Sequence, residues 1–229
     1  MLLKPRCRIL FIGDSITDCG RSRPVGEGGG PGALGDGYVS LVQSALLAGY
    51  PDYELKVINM GVSGDTVCDL QARWESDVLS LRPDWLAVFI GINDVWRQYS
   101  LNDASQAGIG LDEYSATLGE LVAKALPGLA GLILMTPYYL QPDRSDPLRQ
   151  SMDHCGAAVH RLAAQHGAVA VDTQAAFDRV MAWVRPSDLA DDRVHVAQAG
   201  HMLLARAVLD GLQFDGARKP PEPEEADGR

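Results

Sequence analysis

The sequence predicts an α/β domain in which a parallel β-sheet is covered by helices on both faces. Two observations carry that expectation. Short apolar, β-branched runs alternate along the chain with longer segments whose apolar residues recur at three- and four-residue steps, the pattern of repeated βαβ units. The chain is also long enough, at 229 residues with 46% hydrophobic and 22% charged residues, to bury one large core without disulfides or metal.

The strands are expected at residues 8–12, 55–59, 85–90, 131–135 and 168–172. Between them, residues 38–48, 67–79, 113–125, 148–166 and 173–184 carry helical periodicity, and residues 198–212 close the series. In such folds ligands sit outside the carboxyl ends of the strands, so chemistry is sought in the loops that follow them. One domain is expected over residues 1–214. Residues 215–229 are acidic and proline-rich with little to bury, which predicts a disordered tail. The glycine-rich stretch within residues 26–37 is the expected mobile rim, too short to separate two domains.

The charge balance is 20 Lys+Arg against 30 Asp+Glu, a net charge of −10. Such a surface repels polyphosphates and anionic membranes, so no nucleic-acid or membrane partner is expected, and a neutral small molecule fits best. The apolar run at residues 9–12 is too short for a signal-peptide core, and no segment approaches a membrane span. Cys7, Cys19, Cys68 and Cys155 are scattered without metal-ligand spacing. Reduced thiols and a cytoplasmic location are therefore expected.

Four loops hold the candidate chemistry. Gly13-Asp14-Ser15 follows the first strand, placing a serine at the top of the sheet as either a nucleophile or a helix cap. After the second strand, Gly64 lies in a glycine-containing turn, where it is either an N–H donor to a ligand or simply part of a strand-to-helix turn capped by Asp65 or Thr66. Asn93, in Gly91-Ile92-Asn93-Asp94 after the third strand, offers uncharged amide donors suited to an oxyanion, or plain turn chemistry. Near the C-terminus, Asp192-Arg193-Val194-His195 places a carboxylate three residues before an imidazole, where it can fix the ring's tautomer.

Other histidines offer less. His154, His160 and His166 step by six residues along one helix and share no face, and His201 reads as the start of the last helix. No metal is expected, since Asp192, His195 and His201 lack a further well-spaced ligand. The stretch from Gly28 to Ala33 fits a dinucleotide fingerprint literally but lies far beyond the first strand, and there is no phosphate loop. No cofactor is expected. Gly61-Val62-Ser63-Gly64-Asp65 lacks the final glycine of the α/β-hydrolase elbow.

Taken together, the four blocks resemble those of the GDSL or SGNH hydrolases, with Ser15, Gly64, Asn93 and Asp192-x-x-His195 in matching order over roughly residues 6–212. The resemblance implies a flavodoxin-like three-layer αβα sandwich with five parallel strands in the order 2-1-3-4-5. It implies Ser15 as nucleophile and oxyanion donor, Gly64 and Asn93 as further donors, His195 as base and Asp192 as its orienter. The phrases FIGDSITDCGRSRP, SGDTVCDLQARWE, FIGINDVWRQY and ILMTPYYL look like the subgroup of intracellular acetylxylan esterases. That subgroup implies an acetylated saccharide as substrate, no metal and a homo-oligomer. Two departures stand beside the site: Val196 where a proline is usual, and Asp191 where an aromatic can occur.

Asp14, Trp96, Arg97 and Tyr99 are the expected substrate contacts, the aromatics stacking on sugar and Arg97 hydrogen-bonding it. Against this, Trp96 can pack its own loop and Arg97 can pair with a surface carboxylate. The functional expectation is a serine esterase that deacetylates xylo-oligosaccharides. The alternatives are a lysophospholipase or thioesterase of the same fold and a non-catalytic carbohydrate-binding module.

Overall fold

In the computed structural model, which describes residues 1–28, 30, 32–99 and 108–222, the sheet strands are β1 (Arg8–Gly13), β2 (Gly26–Glu27), β3 (Lys56–Asn59), β4 (Trp85–Phe89), β5 (Gly131–Met135) and β6 (Val169–Val171). They lie in the order β2-β3-β1-β4-β5-β6. Every pairing is parallel except that of β2 with β3. The five parallel strands therefore run 2-1-3-4-5 in their own sequence order, as expected. The sixth, two-residue strand is a correction: it pairs Gly26 with Asn59 and Glu27 with Ile58 at the edge. Two residues are too few to show a periodicity, so that pairing depends on a neighbour distant in sequence.

The helices are α1 (Ser15–Asp18), α2 (Tyr38–Gly49), α3 (Val67–Trp74), α4 (Ile92–Tyr99), α5 (Leu111–Ala125), α6 (Pro147–His166), α7 (Thr173–Met181) and α8 (Gln198–Gly211). One layer is built by α2, α8 and α7 in contact, and the other by α3, α5 and α6. The central strands between them are largely apolar because both faces are covered: all five residues of β4 are apolar and buried. The short helices α1 and α4 fall where the sequence predicts loops. Their lengths, four and eight residues, are below what local propensity sustains, and packing at the strand ends holds them.

A row of aromatic rings crosses the core beneath the carboxyl edge of the sheet. Phe11, Tyr38, Phe89, Tyr138 and Phe177 contact one another in turn at centroid distances of 4.4 to 6.0 Å. Both tyrosine hydroxyls leave this row for the loops above. Tyr38 bonds the Thr17 hydroxyl at 3.1 Å, and Tyr138 donates to the Val194 carbonyl at 2.6 Å.

The expected tail is partly docked. The Arg218 guanidinium lies 4.3 Å from the Tyr50 ring centroid and makes a two-pronged pair with Asp52 at 2.8 and 2.7 Å. Cation–π contact and a bidentate ion pair give this segment a partner that apolar patterning alone does not reveal. Residues 223–229 of that tail, and residues 29 and 31 of the glycine-rich rim, lie outside the described residues.

Candidate active site

The first strand delivers Ser15. Gly13 ends β1 so close to β4 that a Cβ there would stand 2.2 Å from the Phe89 carbonyl oxygen, so only glycine fits. Asp14 then caps α1, its carboxylate accepting the Ile16 amide at 3.0 Å. The cap is therefore Asp14, which leaves the Ser15 hydroxyl free. That hydroxyl lies 2.9 Å from His195 Nε2.

Asp192 builds the other side of the rim. Its Oδ1 accepts the amides of Val194 at 2.9 Å and His195 at 2.8 Å, folding the intervening residues into a tight turn with Arg193 in the left-handed region at φ 66°. Its Oδ2 meets His195 Nδ1 at 2.6 Å. Burial alone would raise this carboxyl's pKa, but the imidazole and the two amides outweigh it and hold the group below the usual carboxylate range. The proton is thus assigned to Nδ1, leaving the Nε2 lone pair facing Ser15. The side chains of His195 and Asp192 are 60% and 45% exposed, so the row sits on an open rim.

Gly64 and Asn93 converge on the same edge. Gly64 has φ +89°, a conformation costly to other residues. Its carbonyl accepts from the Arg97 guanidinium. Asn93 Nδ2 donates to the Asp65 carbonyl at 2.9 Å, tying α4 to the turn that carries Gly64. Beneath them, Asp94 is fully buried and accepts the Val67 amide at 2.9 Å; burial pushes its pKa up to about 6.

The expected substrate contacts divide. Asp14 is 2% exposed, and burial pushes its pKa up to about 7. Its carboxyl is engaged in the cap at the end of β1. Tyr99 is also otherwise engaged, its hydroxyl donating to the Pro147 carbonyl at 2.9 Å and meeting Ser151 Oγ at 2.9 Å on α6. Trp96 packs edge-on against Tyr139 at 6.2 Å. Arg97 pairs with the Gly64 carbonyl instead of a surface carboxylate, which places its guanidinium at the rim.

Several supporting residues escape sequence reasoning. Asn59, fully buried, donates to the Thr17 and Leu34 carbonyls at 2.7 and 2.8 Å and accepts the Gly61 amide at 2.9 Å. Arg73 and Tyr138 bond main-chain carbonyls beside the site. Helix spacing points only to the pairing of Arg73 with Asp77; the Thr17 and Leu34 carbonyls that Asn59 meets and the Met60 and Gly13 carbonyls that Arg73 meets are set by the fold. His201 is half-buried with Nε2 3.6 Å from Cys19 Sγ, and burial lowers its pKa. Among the described residues no group of three His, Cys, Asp or Glu is placed to hold a metal ion, and no helix is long and apolar enough to cross a membrane.

A doubly wound parallel sheet whose carboxyl edge aligns serine, imidazole and carboxylate has the site of a serine hydrolase. The chain belongs to the GDSL-like lipase/acylhydrolase family, whose model matches residues 11–203. It is 52% identical to the acetylxylan esterase of Geobacillus stearothermophilus over 211 residues, covering 92% of this chain and 96% of that protein. The crystal structure of that esterase superposes with a TM-score of 0.93 at 50% identity, covering 96% of this chain and all of the other. Structures described as catalytic mutants of it replace a serine, an aspartate and a histidine. An α/β-hydrolase from the metagenome of Lake Arreo, Spain, superposes with a TM-score of 0.90 at 44% identity, covering 93% and 98% of the two chains.

Proposed function

We propose that this esterase removes acetyl groups from acetylated xylo-oligosaccharides or related sugars through an acyl-enzyme on Ser15. The observation that carries the reading is the unbroken row Ser15 Oγ, His195, Asp192 at 2.9 and 2.6 Å. His195 Nε2 takes the hydroxyl proton as Ser15 Oγ bonds to the acetyl carbonyl carbon. The carbonyl oxygen becomes an oxyanion held by the Ser15 and Gly64 amides and the Asn93 side chain. Collapse of that intermediate breaks the bond to the sugar oxygen, which receives the proton from His195. Water then repeats the sequence on the acetyl-enzyme and releases acetate. Asp192 orients the imidazole and stabilises its charged form throughout.

The sugar assignment is supported by the likeness to the acetylxylan esterase across nearly the whole chain, and by a structural relative described as an acetyl-xylooligosaccharide esterase. Arg97 and the rim face of Trp96 are the side chains offered to the saccharide. No cofactor enters the mechanism. The hydrolase domain at residues 1–214, a cytoplasmic location and a homo-oligomer complete the proposal; sedimentation of the purified protein tests the last.

Acetate release from acetylated xylo-oligosaccharides, beside p-nitrophenyl acetate and octanoate and with Ser15→Ala as blank, tests the function. Rapid Ser15-dependent deacetylation of the sugar with poor octanoate turnover is expected. Octanoate turnover with an inert sugar would keep the row of residues but overturn the carbohydrate assignment.

A further inference from the structure

Four hydrogen bonds converge on the guanidinium of Arg73, on α3. Its Nε donates to Asp65 Oδ2 at 2.7 Å, its Nη1 to the Met60 carbonyl at 2.7 Å and to Asp77 Oδ2 at 2.9 Å, and its Nη2 to the Gly13 carbonyl at 3.1 Å. The side chain is 16% exposed, so these bonds are shielded from water. Gly13 stands two residues before Ser15, while Met60 and Asp65 flank the turn that carries Gly64.

Two other arginines grip the same turn. Arg21 Nε donates to the Gly61 carbonyl at 2.7 Å, and Arg97 donates to the Gly64 carbonyl. Neither is bonded to the strand end that delivers Ser15; Arg73 alone of the three bonds both. Formation of α3 gives no reason for this residue, because a lysine has similar helix propensity and could keep the pairing with Asp77 four residues on. Reaching two carbonyls and two carboxylates at once requires a planar fork with separate donors.

We propose that Arg73 is a positioning residue for ester hydrolysis, clamping the end of β1 to the turn after β3 and thereby setting the spacing between the Ser15 hydroxyl and the Gly64 amide. The inference rests on the roles given above to Ser15 and Gly64. A shift of either loop by about 1 Å would leave the acetyl group bindable but misalign attack with oxyanion stabilisation, an error that costs on the order of 10²-fold in rate.

The test is Arg73→Lys assayed on p-nitrophenyl acetate and titrated with an alkyl boronic acid. Ser15 Oγ adds to the trigonal boron while its proton passes to His195, giving a tetrahedral anion that occupies the same donors as the intermediate. A fall in kcat of about 10²-fold, KM nearly unchanged and a parallel loss of boronate affinity are expected. Arg149→Lys is the control, since Arg149 is more deeply buried than Arg73, 2% against 16% exposed, and pairs with Asp153 and Asp178 away from both loops. It should lower the melting temperature and leave kcat in place. Wild-type kcat and boronate affinity in Arg73→Lys would overturn the proposal whatever its melting temperature. Should that variant fail to fold, Asp65→Asn weakens the arm to the turn alone, and wild-type kcat there would equally overturn it. Turnover surviving in Ser15→Ala would instead sink the nucleophile assignment on which the clamp depends.

Discussion

The phenol of Tyr138 donates to the main-chain carbonyl of Val194 at 2.6 Å, so the residue next to His195 is anchored to the aromatic row in the core. Leu140, two residues on, reinforces the link by donating its amide to the Arg193 carbonyl at 3.0 Å. The imidazole stands on an exposed loop, yet its backbone is held from below.

Tyr138→Phe removes this anchor and leaves the Val194 carbonyl without its donor. A loss of about 1 to 3 kcal/mol in stability is expected, equivalent to a melting temperature lower by roughly 2 to 4 °C for each kcal/mol in a chain of this size. Because the displaced group is the base, kcat should fall several-fold with little change in KM. Thermal melts paired with steady-state kinetics check both, and an unchanged kcat would show that His195 does not depend on the anchor.

Gly64→Ala separates backbone conformation from steric bulk. The added Cβ would meet only Arg97 Nη2, at 3.8 Å, so the space is open. The φ of +89° is what an alanine resists, at a cost on the order of 1 to 2 kcal/mol. Relief of that strain turns the amide away from the oxyanion, and kcat should drop by about 10²-fold or more. A variant with native activity would remove Gly64 from the donor set.

Asp192→Asn tests the orienter. An amide can accept the two turn N–H groups through its oxygen, but it then presents N–H to His195 Nδ1 and favours the wrong tautomer. A loss in kcat on the order of 10³- to 10⁴-fold is expected, by analogy with the triad of serine proteases. The wild-type carboxyl, held below the usual range, contributes stability above its unfolded value of about 4 and loses it as pH falls through its folded pKa. Thermal melts of Asp192→Asn should therefore lack that acid-side loss. A variant retaining most of its kcat would argue against the orienting role.

The opposite sign applies beneath the nucleophile. Burial pushes Asp14 up to about 7, so between roughly pH 4 and 7 the folded state holds a proton that the unfolded state has released. Its contribution to stability therefore declines as pH rises through that window and levels off above it. Asp14→Asn keeps an acceptor for the Ile16 amide and should flatten this decline, melting higher relative to wild type at pH 8 than at pH 5. Melting curves across that range decide it; parallel curves for the two proteins would show that Asp14 does not titrate there.

Periodicity and motif order by themselves determined the parallel α/β class, the five principal strands and the segments beyond the strands that bear Ser15, Gly64, Asn93, Asp192 and His195. Those features are local: a buried strand must be apolar along its length, and a turn needs its glycine or carboxylate within a few residues. Only the tertiary structure decided that Asp14 is buried as the cap of a helix, that Tyr99 turns to α6, that a two-residue edge strand joins β3, and that Arg218 docks on Tyr50 and Asp52. Local sequence also could not reveal the ties of Arg73 and Tyr138 to the rim. The bonds of Arg73 to Asp65, Met60 and Gly13, of Tyr138 to Val194 and of Arg218 to Asp52 join residues 8 to 166 positions apart, and such a bond exists only once folding has brought both groups together. A polar side chain's sequence neighbours do not say which distant carbonyl or carboxylate will share its desolvated environment.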